Sequence, residues 1–86
     1  MPRRSRDEII ADILEVCLKP GVAKTQVVRQ ANLNFKTILP YLDLLTSGGL
    51  LEAVLGKSTI YRTTAKGRKA LRAHRAIEEI IPERLD

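Results

Sequence analysis

Apolar residues recur along this chain at two periods, and the change from one to the other divides it. Ile9, Ile10, Ile13, Leu14 and Cys17 fall at i, i+1, i+4, i+5 and i+8, while Asp12 and Glu15 take the opposite side. That is the stripe of an amphipathic helix. Ser5 and Glu8 precede it as a capping box, in which the hydroxyl accepts from the N3 amide and the carboxylate accepts from the cap amide. The helix is predicted to run to about Leu18, and Pro20-Gly21 stops it.

A second, shorter helix is predicted over about Lys24 to Ala31, with Val27, Val28 and Ala31 inward. Asn32 suits the left-handed residue after it. Asn34 suits the N-cap of a third helix. There Phe35, Ile38, Leu42 and Leu45 share one sector of the wheel and are expected to face the core. Lys36, Pro40, Asp43 and Ser47 take the far side, with Thr37 and Leu44 flanking. Pro40 deletes one helical hydrogen bond. The stripe crosses it without a phase jump, so one bent helix is expected, ending at Gly48-Gly49.

The period then shortens. Leu50 to Leu55 and Thr59 to Thr63 read as two strands of a hairpin with its tip at Gly56-Lys57-Ser58. Thr64 caps a last helix, predicted to about Ile81, before Pro82. The expected fold is mainly α with a small β-hairpin: a winged helix-turn-helix with a C-terminal dimerisation helix. It is read as one domain over 1–86, with a core at 5–64, the last helix at 64–81 and flexible ends at 1–4 and 82–86.

Composition narrows the chemistry. Eighty-six residues leave little room for an enclosed catalytic cleft. Aromatics are 3% with no Trp, which disfavours stacking on single strands. A net charge of +5 fits a polyanionic partner. The charge is uneven: Lys57, Arg62, Lys66, Arg68, Lys69, Arg72 and Arg75 lie between Gly56 and Ala76 with no acid among them. Asp7, Glu8, Asp12 and Glu15 gather on the first helix, and Glu78, Glu79, Glu83 and Asp86 at the end.

Cys17 and His74 are each the only residue of their kind and lie on different helices, so no metal site is expected. No nucleophile–base or paired-carboxylate spacing is present, so no enzyme, cofactor or small-molecule ligand is expected. The first residues show no signal peptide and no stretch is apolar enough to cross a bilayer, so the expected location is cytoplasmic, away from the membrane. Gly56-Lys57-Ser58 resembles the end of a phosphate-binding loop, but Leu51 stands where that pattern needs Gly and no strand-to-helix turn surrounds it.

The candidate DNA contacts each have a plainer reading. Lys36 and Thr37 lie in the first turn of the third helix, where base edges are met, and Asn34 at its cap could reach phosphate or base. The alternative is a solvated face with one cation, in which Asp43 repels phosphate. Lys57 and Ser58 at the hairpin tip, with Arg62 behind them, could reach phosphate or a minor groove; otherwise they form a surface turn. Lys24 and Thr25 begin the second helix beside its free amides, with Arg29 further along; the alternative is capping. Arg3, Arg4 and Arg6 form a basic arm that could track a minor groove or remain a solvated tail.

The last helix carries a second pattern. Ala70, Ala73, Ile77 and Ile80 are spaced three, four and three apart, an a/d seam, beside a stripe of Leu71, His74 and Ile81. One stripe can pack on the chain's own domain while the other meets a partner helix. Ala70, Ala73, His74, Ile77, Ile80 and Ile81 are therefore the expected interface of a homodimer. The alternative is a helix wholly absorbed by its own domain.

These pieces together resemble the archaeal winged-helix family of small predicted transcriptional regulators, which includes compact coiled-coil dimer chromatin-type DNA-binding proteins. The matching residues are Arg4 to Leu14, Lys24-Thr25 with Ala31-Asn32-Leu33, Tyr41-Leu42 with Leu45 and Gly49-Leu50, and then Tyr61, Thr64, Gly67 and Leu71 in the spacing Y-x-x-T-x-x-G-x-x-x-L. The resemblance implies double-stranded DNA binding by a homodimer, with the third helix for recognition and the fourth for dimerisation. The chain departs from it at Pro40 and at Pro82, which shortens the last helix. Two functions stay open on the residues: a DNA-binding regulator or architectural protein, and a winged-helix module that binds a protein partner instead.

Overall fold

The computed structural model describes residues 5–80. The expectations placed on Arg3, Arg4 and Ile81, and on the ends 1–4 and 82–86, lie outside these residues. The elements in order are α1 (Arg6–Val16), β1 (Val22–Ala23), α2 (Lys24–Gln30), α3 (Phe35–Ser47), β2 (Leu51–Val54), β3 (Ile60–Thr63) and α4 (Ala65–Ile80). Four helices surround a three-stranded antiparallel sheet of order β1-β3-β2.

Local chemistry accounts for where the helices begin and end. Ser5 and Glu8 form the capping box: Ser5 Oγ accepts from the Glu8 amide at 3.1 Å, and Glu8 accepts from the Ser5 amide at 3.2 Å. α2 and α3 both close with a Schellman motif. The Leu33 amide donates to Val28 and the Asn32 amide to Arg29, with Asn32 at φ 57°. The Leu50 amide donates to Leu45 and the Gly49 amide to Thr46, with Gly49 at φ 78°. Each motif satisfies two orphan carbonyls while the chain reverses. α3 runs through Pro40 as one helix. The bond that residue 40 would donate to Lys36 cannot form, yet Ile38, Leu42 and Leu45 are buried on either side of it.

The core is built from all four helices and the sheet: Ala11, Ile13, Leu14, Cys17, Val22, Val27, Ala31, Ile38, Leu42, Leu45, Leu51 and Leu71. Phe35 is not in it. Its side chain is 48% exposed, contrary to the wheel reading. It occupies the first turn of α3, which reaches past the edge of the buried layer.

The hairpin pairs Leu51 with Thr63, Glu52 with Arg62, Ala53 with Tyr61 and Val54 with Ile60. β1 pairs with the other side of β3, Val22 with Tyr61 and Ala23 with Ile60. Two residues are too few to show an alternation, so this strand had no signature in the sequence. β3 is bonded to α1 as well. The Thr63 amide donates to the Cys17 carbonyl at 2.9 Å and its hydroxyl to the Leu14 carbonyl at 2.7 Å.

Thr64 then turns the chain into α4. Its Oγ1 donates to the Gly49 carbonyl at 2.6 Å and accepts from the Gly67 amide at 3.1 Å. Gly67 is buried, and a Cβ there would overlap the Leu50 carbonyl. Only glycine lets the first turn of α4 lie this close to the start of β2.

Candidate nucleic-acid interface

Three segments distant in sequence meet at one place. The pairing of Ala23 with Ile60 fixes the residue before α2 against β3. The start of α2 is thereby set beside the return limb of the hairpin, and the start of α3 closes the third side. Ala23, Lys24, Thr25, Phe35, Ser58 and Thr59 line a shallow cavity of about 320 Å³ there. Three expected contact residues, Lys24, Thr25 and Ser58, are thus brought together. Phe35 and Thr59 join them unexpectedly. Phe35 was assigned to the core from its place on the wheel, and Thr59 gave no signal beyond its place at the hairpin.

The other expected contacts are spread around this point. Asn34 caps α3, its Oδ1 accepting from the Thr37 amide at 2.8 Å. Lys36 is exposed and Thr37 half-buried, and Arg29 lies exposed on α2. The outer face of α3 carries Lys36, Pro40, Asp43 and Ser47, all exposed, with Leu39 and Leu44 also exposed at its margins. Lys36 is therefore its one cation, set against one carboxylate and several apolar groups. Burial, and after it the charge of Asp43, holds the Tyr61 phenol above its ordinary range, which keeps that hydroxyl neutral.

The cations of the wing differ from one another. Lys57 is exposed at the tip and makes no ion pair among the described residues. Arg62 is exposed but engaged: it donates to Glu52, its partner across the ladder, at 2.6 and 3.2 Å. An exposed pair of this kind adds little stability, ~0–1 kcal/mol, but it offsets the charge of Arg62. On α4, Lys66 donates to the Gly48 carbonyl at 2.9 Å and Arg68 to the Thr63 carbonyl at 3.3 Å. Lys69 and Arg72 stand exposed.

Arg75 has a different task. It donates to Glu15 of α1 at 2.9 Å and to Glu78 at 3.0 Å, and lies 3.9 Å from Asp12. This joins α4 to the acidic side of α1. The hydrogen bond from Arg75 holds the Glu78 carboxyl below its ordinary range. His74 Nε2 is buried and lies 3.4 Å from Glu78 without hydrogen-bond geometry.

Of the expected seam, Ala70 and His74 are half-buried and Ala73 is exposed. Ile77 is 57% and Ile80 79% exposed. Leu71 and Gly67, on the adjacent stripe, are buried against the domain. Among the described residues no group of acids, His and Cys could hold a metal ion, and no helix is long and apolar enough to cross a membrane.

The helix order, the three-stranded sheet and the wing define a winged helix. Residues 3–82 match the family model described as winged helix-turn-helix, and the chain belongs to that family. Its structure is similar to that of Sso10a-2, described as a DNA-binding protein from Sulfolobus solfataricus, with 31% identity and a TM-score of 0.83 over 90% of this chain and 81% of that one. These two comparisons support the archaeal winged-helix resemblance carried by the sequence. No curated protein matches the chain.

Proposed function

We propose that this chain is a double-stranded DNA-binding protein, with no catalytic activity, that acts in the cytoplasm as a transcriptional regulator. The observation that carries the reading is the convergence of Lys24, Thr25 and Ser58 where α2, α3 and the hairpin meet. Two hydroxyls and an ammonium side by side suit phosphate oxygens. Lys57 extends the positive surface along the wing, and Lys36 and Thr37 offer the first turn of α3 to the groove. The DNA-binding description of Sso10a-2 agrees with this reading. The thin charge of the α3 face means that affinity comes mainly from backbone contacts, with steep salt dependence.

The chain is further read as one domain that forms a homodimer through α4. Ile77 and Ile80 leave a large apolar area uncovered on the helix face away from Leu71, and a second copy of the same seam would cover it. Sedimentation tests this: wild type should sediment as a dimer and Ile77→Glu as a monomer. A chain monomeric at high concentration would remove the seam.

A second reading has its own observation. Leu39 and Leu44 are exposed at the margins of a helix face that also carries Asp43, a surface better suited to a protein than to phosphate. Titration of a labelled duplex of mixed sequence at several salt concentrations separates the two. Binding that strengthens as salt falls supports the DNA reading. No complex even at low salt would leave the protein-binding module.

A further inference from the structure

Leu55 is 82% exposed, more than any other large apolar side chain among the described residues. A single exposed leucine on a protein surface needs no explanation; the position of this one does. It is the first residue of the hairpin tip, directly after β2, with Ala53, Val54, Gly56, Lys57 and Ser58 all exposed around it. The far limb of the same tip, Ser58 and Thr59, lines the cavity with Lys24 and Thr25. One limb is therefore seated at the helix junction, and the other holds Leu55 and Lys57 out in solvent.

The stem beneath them is braced. Its four-pair ladder carries the Glu52–Arg62 bridge, and at its base Thr63 is bonded to both Leu14 and Cys17. No acid occurs between Glu52 and Glu78, and the one charged side chain of the tip is the cation Lys57. A narrow support that presents a bare leucine beside a single exposed cation fits a polyanionic groove with an apolar interior. It does not fit a broad protein surface or a bilayer.

We propose that Leu55 is an apolar wedge. It enters the minor groove of double-stranded DNA, separates two stacked base pairs at a flexible pyrimidine–purine step, and kinks the duplex, while Lys57 holds a flanking phosphate. This rests on the DNA-binding reading and gives it a structural consequence, since wedges of this type bend DNA by about 20–90°. Pyrimidine–purine steps unstack most readily and are the expected place of entry.

The test uses a short duplex whose only pyrimidine–purine step is a central TA flanked by purine runs. 2-Aminopurine replaces the adenine of that step, and dyes at the two ends report bending. With the full chain, 2-aminopurine fluorescence should rise severalfold on binding and energy transfer between the ends should increase. Leu55→Ala should bind with the same salt dependence yet leave the base quenched and the duplex straight; an unchanged unfolding midpoint will show that this exposed substitution leaves the fold intact. Lys57→Gln, at saturation, should still kink the duplex but with a shallower salt slope. A straight, quenched complex with wild type, or a Leu55→Ala protein that kinks as well as wild type, would overturn the wedge while leaving DNA binding in place. No complex at low salt would overturn both.

Discussion

Thr63 Oγ1 donates to the carbonyl of Leu14 at 2.7 Å, joining residues 49 positions apart inside the core. Thr63 is 1% exposed, and its amide serves Cys17 as well. One strand residue thus caps the end of α1, supplying two carbonyls that the helix cannot satisfy for itself. Thr63→Val keeps the shape and removes the hydroxyl, leaving the Leu14 carbonyl buried without this donor. The expected loss is about 1–3 kcal/mol, seen as a lower urea midpoint at unchanged m-value. Thr63→Ser, which keeps the donor, should lose less.

Gly67→Ala should be the most damaging of the small glycine substitutions in the last helix and wing. The added methyl overlaps the Leu50 carbonyl and crowds Thr63 Cγ2, at a cost of about 1–3 kcal/mol from overpacking. Gly56→Ala at the wing tip meets only ordinary contact, at 3.8 Å from the Ser58 carbonyl oxygen, and should stay within about 0.5 kcal/mol of wild type. Thermal unfolding of the two variants side by side checks the contrast.

Acid should weaken the Arg75–Glu78 pair within α4, which helps to seat Arg75 against Glu15 of α1. The hydrogen bond from Arg75 holds the Glu78 carboxyl below its ordinary 4.5. Its contribution is therefore fully present above pH 4.5 and is lost as pH falls through the lower folded value. Arg75→Met should flatten the acid limb of a plot of melting temperature against pH. Added salt should flatten it in wild type too, because the pair is exposed. An acid limb unaltered by the substitution would remove this role.

Cys17 should be inert in the folded protein. It is buried, and desolvation pushes its thiol from 9.0 up to about 11. Little thiolate forms near neutrality, so a thiol reagent should react only as fast as the chain opens, and at once in urea. The folded state also holds this proton more tightly than the unfolded one. Stability should hold below pH 9.0 and fall as pH rises from there toward about 11. Cys17→Ala should reduce that alkaline slope, whatever its overall cost.

Lys57 and Arg62 should contribute unequally to DNA affinity, although both lie on the wing. Arg62 is already matched by Glu52, whereas Lys57 is exposed at the tip with no ion pair among the described residues. Lys57→Glu should weaken binding alike on every sequence, and Lys57→Gln should lower the salt slope by roughly 0.9 for one phosphate contact. Arg62→Gln should change both far less. Equal effects would mean that the Glu52 bridge opens on binding.

Much of the fold was legible because its signals are local. The Ser5–Glu8 box, the Asn34 cap, the left-handed Asn32 and the Gly48-Gly49 stop are each chemistry within a few residues, and each stands where the pattern placed it. β1 was hidden because Val22 and Ala23 become a strand only through β3, some forty residues away. Phe35 was misplaced because a wheel gives direction around a helix but says nothing of where the buried layer ends along it. The state of the candidate cations was equally hidden. Nothing in the order of residues distinguishes Arg62, bound to Glu52, from Lys57, which has no ion pair among the described residues; the ladder register does. Lys24, Thr25 and Ser58 could each be named from type and position, but their meeting depends on β1.

Asn32 carries a consequence for how such a surface can change. Its left-handed backbone sets the direction in which the chain leaves α2, and hence the angle at which α3 is presented. Aim and contact are thereby held by different residues. Asn32→Gly, which accepts the same angle, should leave the helix where it is, whereas Asn32→Val disfavours that angle and should swing it. Neither change touches Lys36 or Lys57. On the DNA-binding reading, the docking angle can thus drift during evolution while the proposed contact residues stay unaltered, and the same set of side chains can be offered to differently shaped grooves.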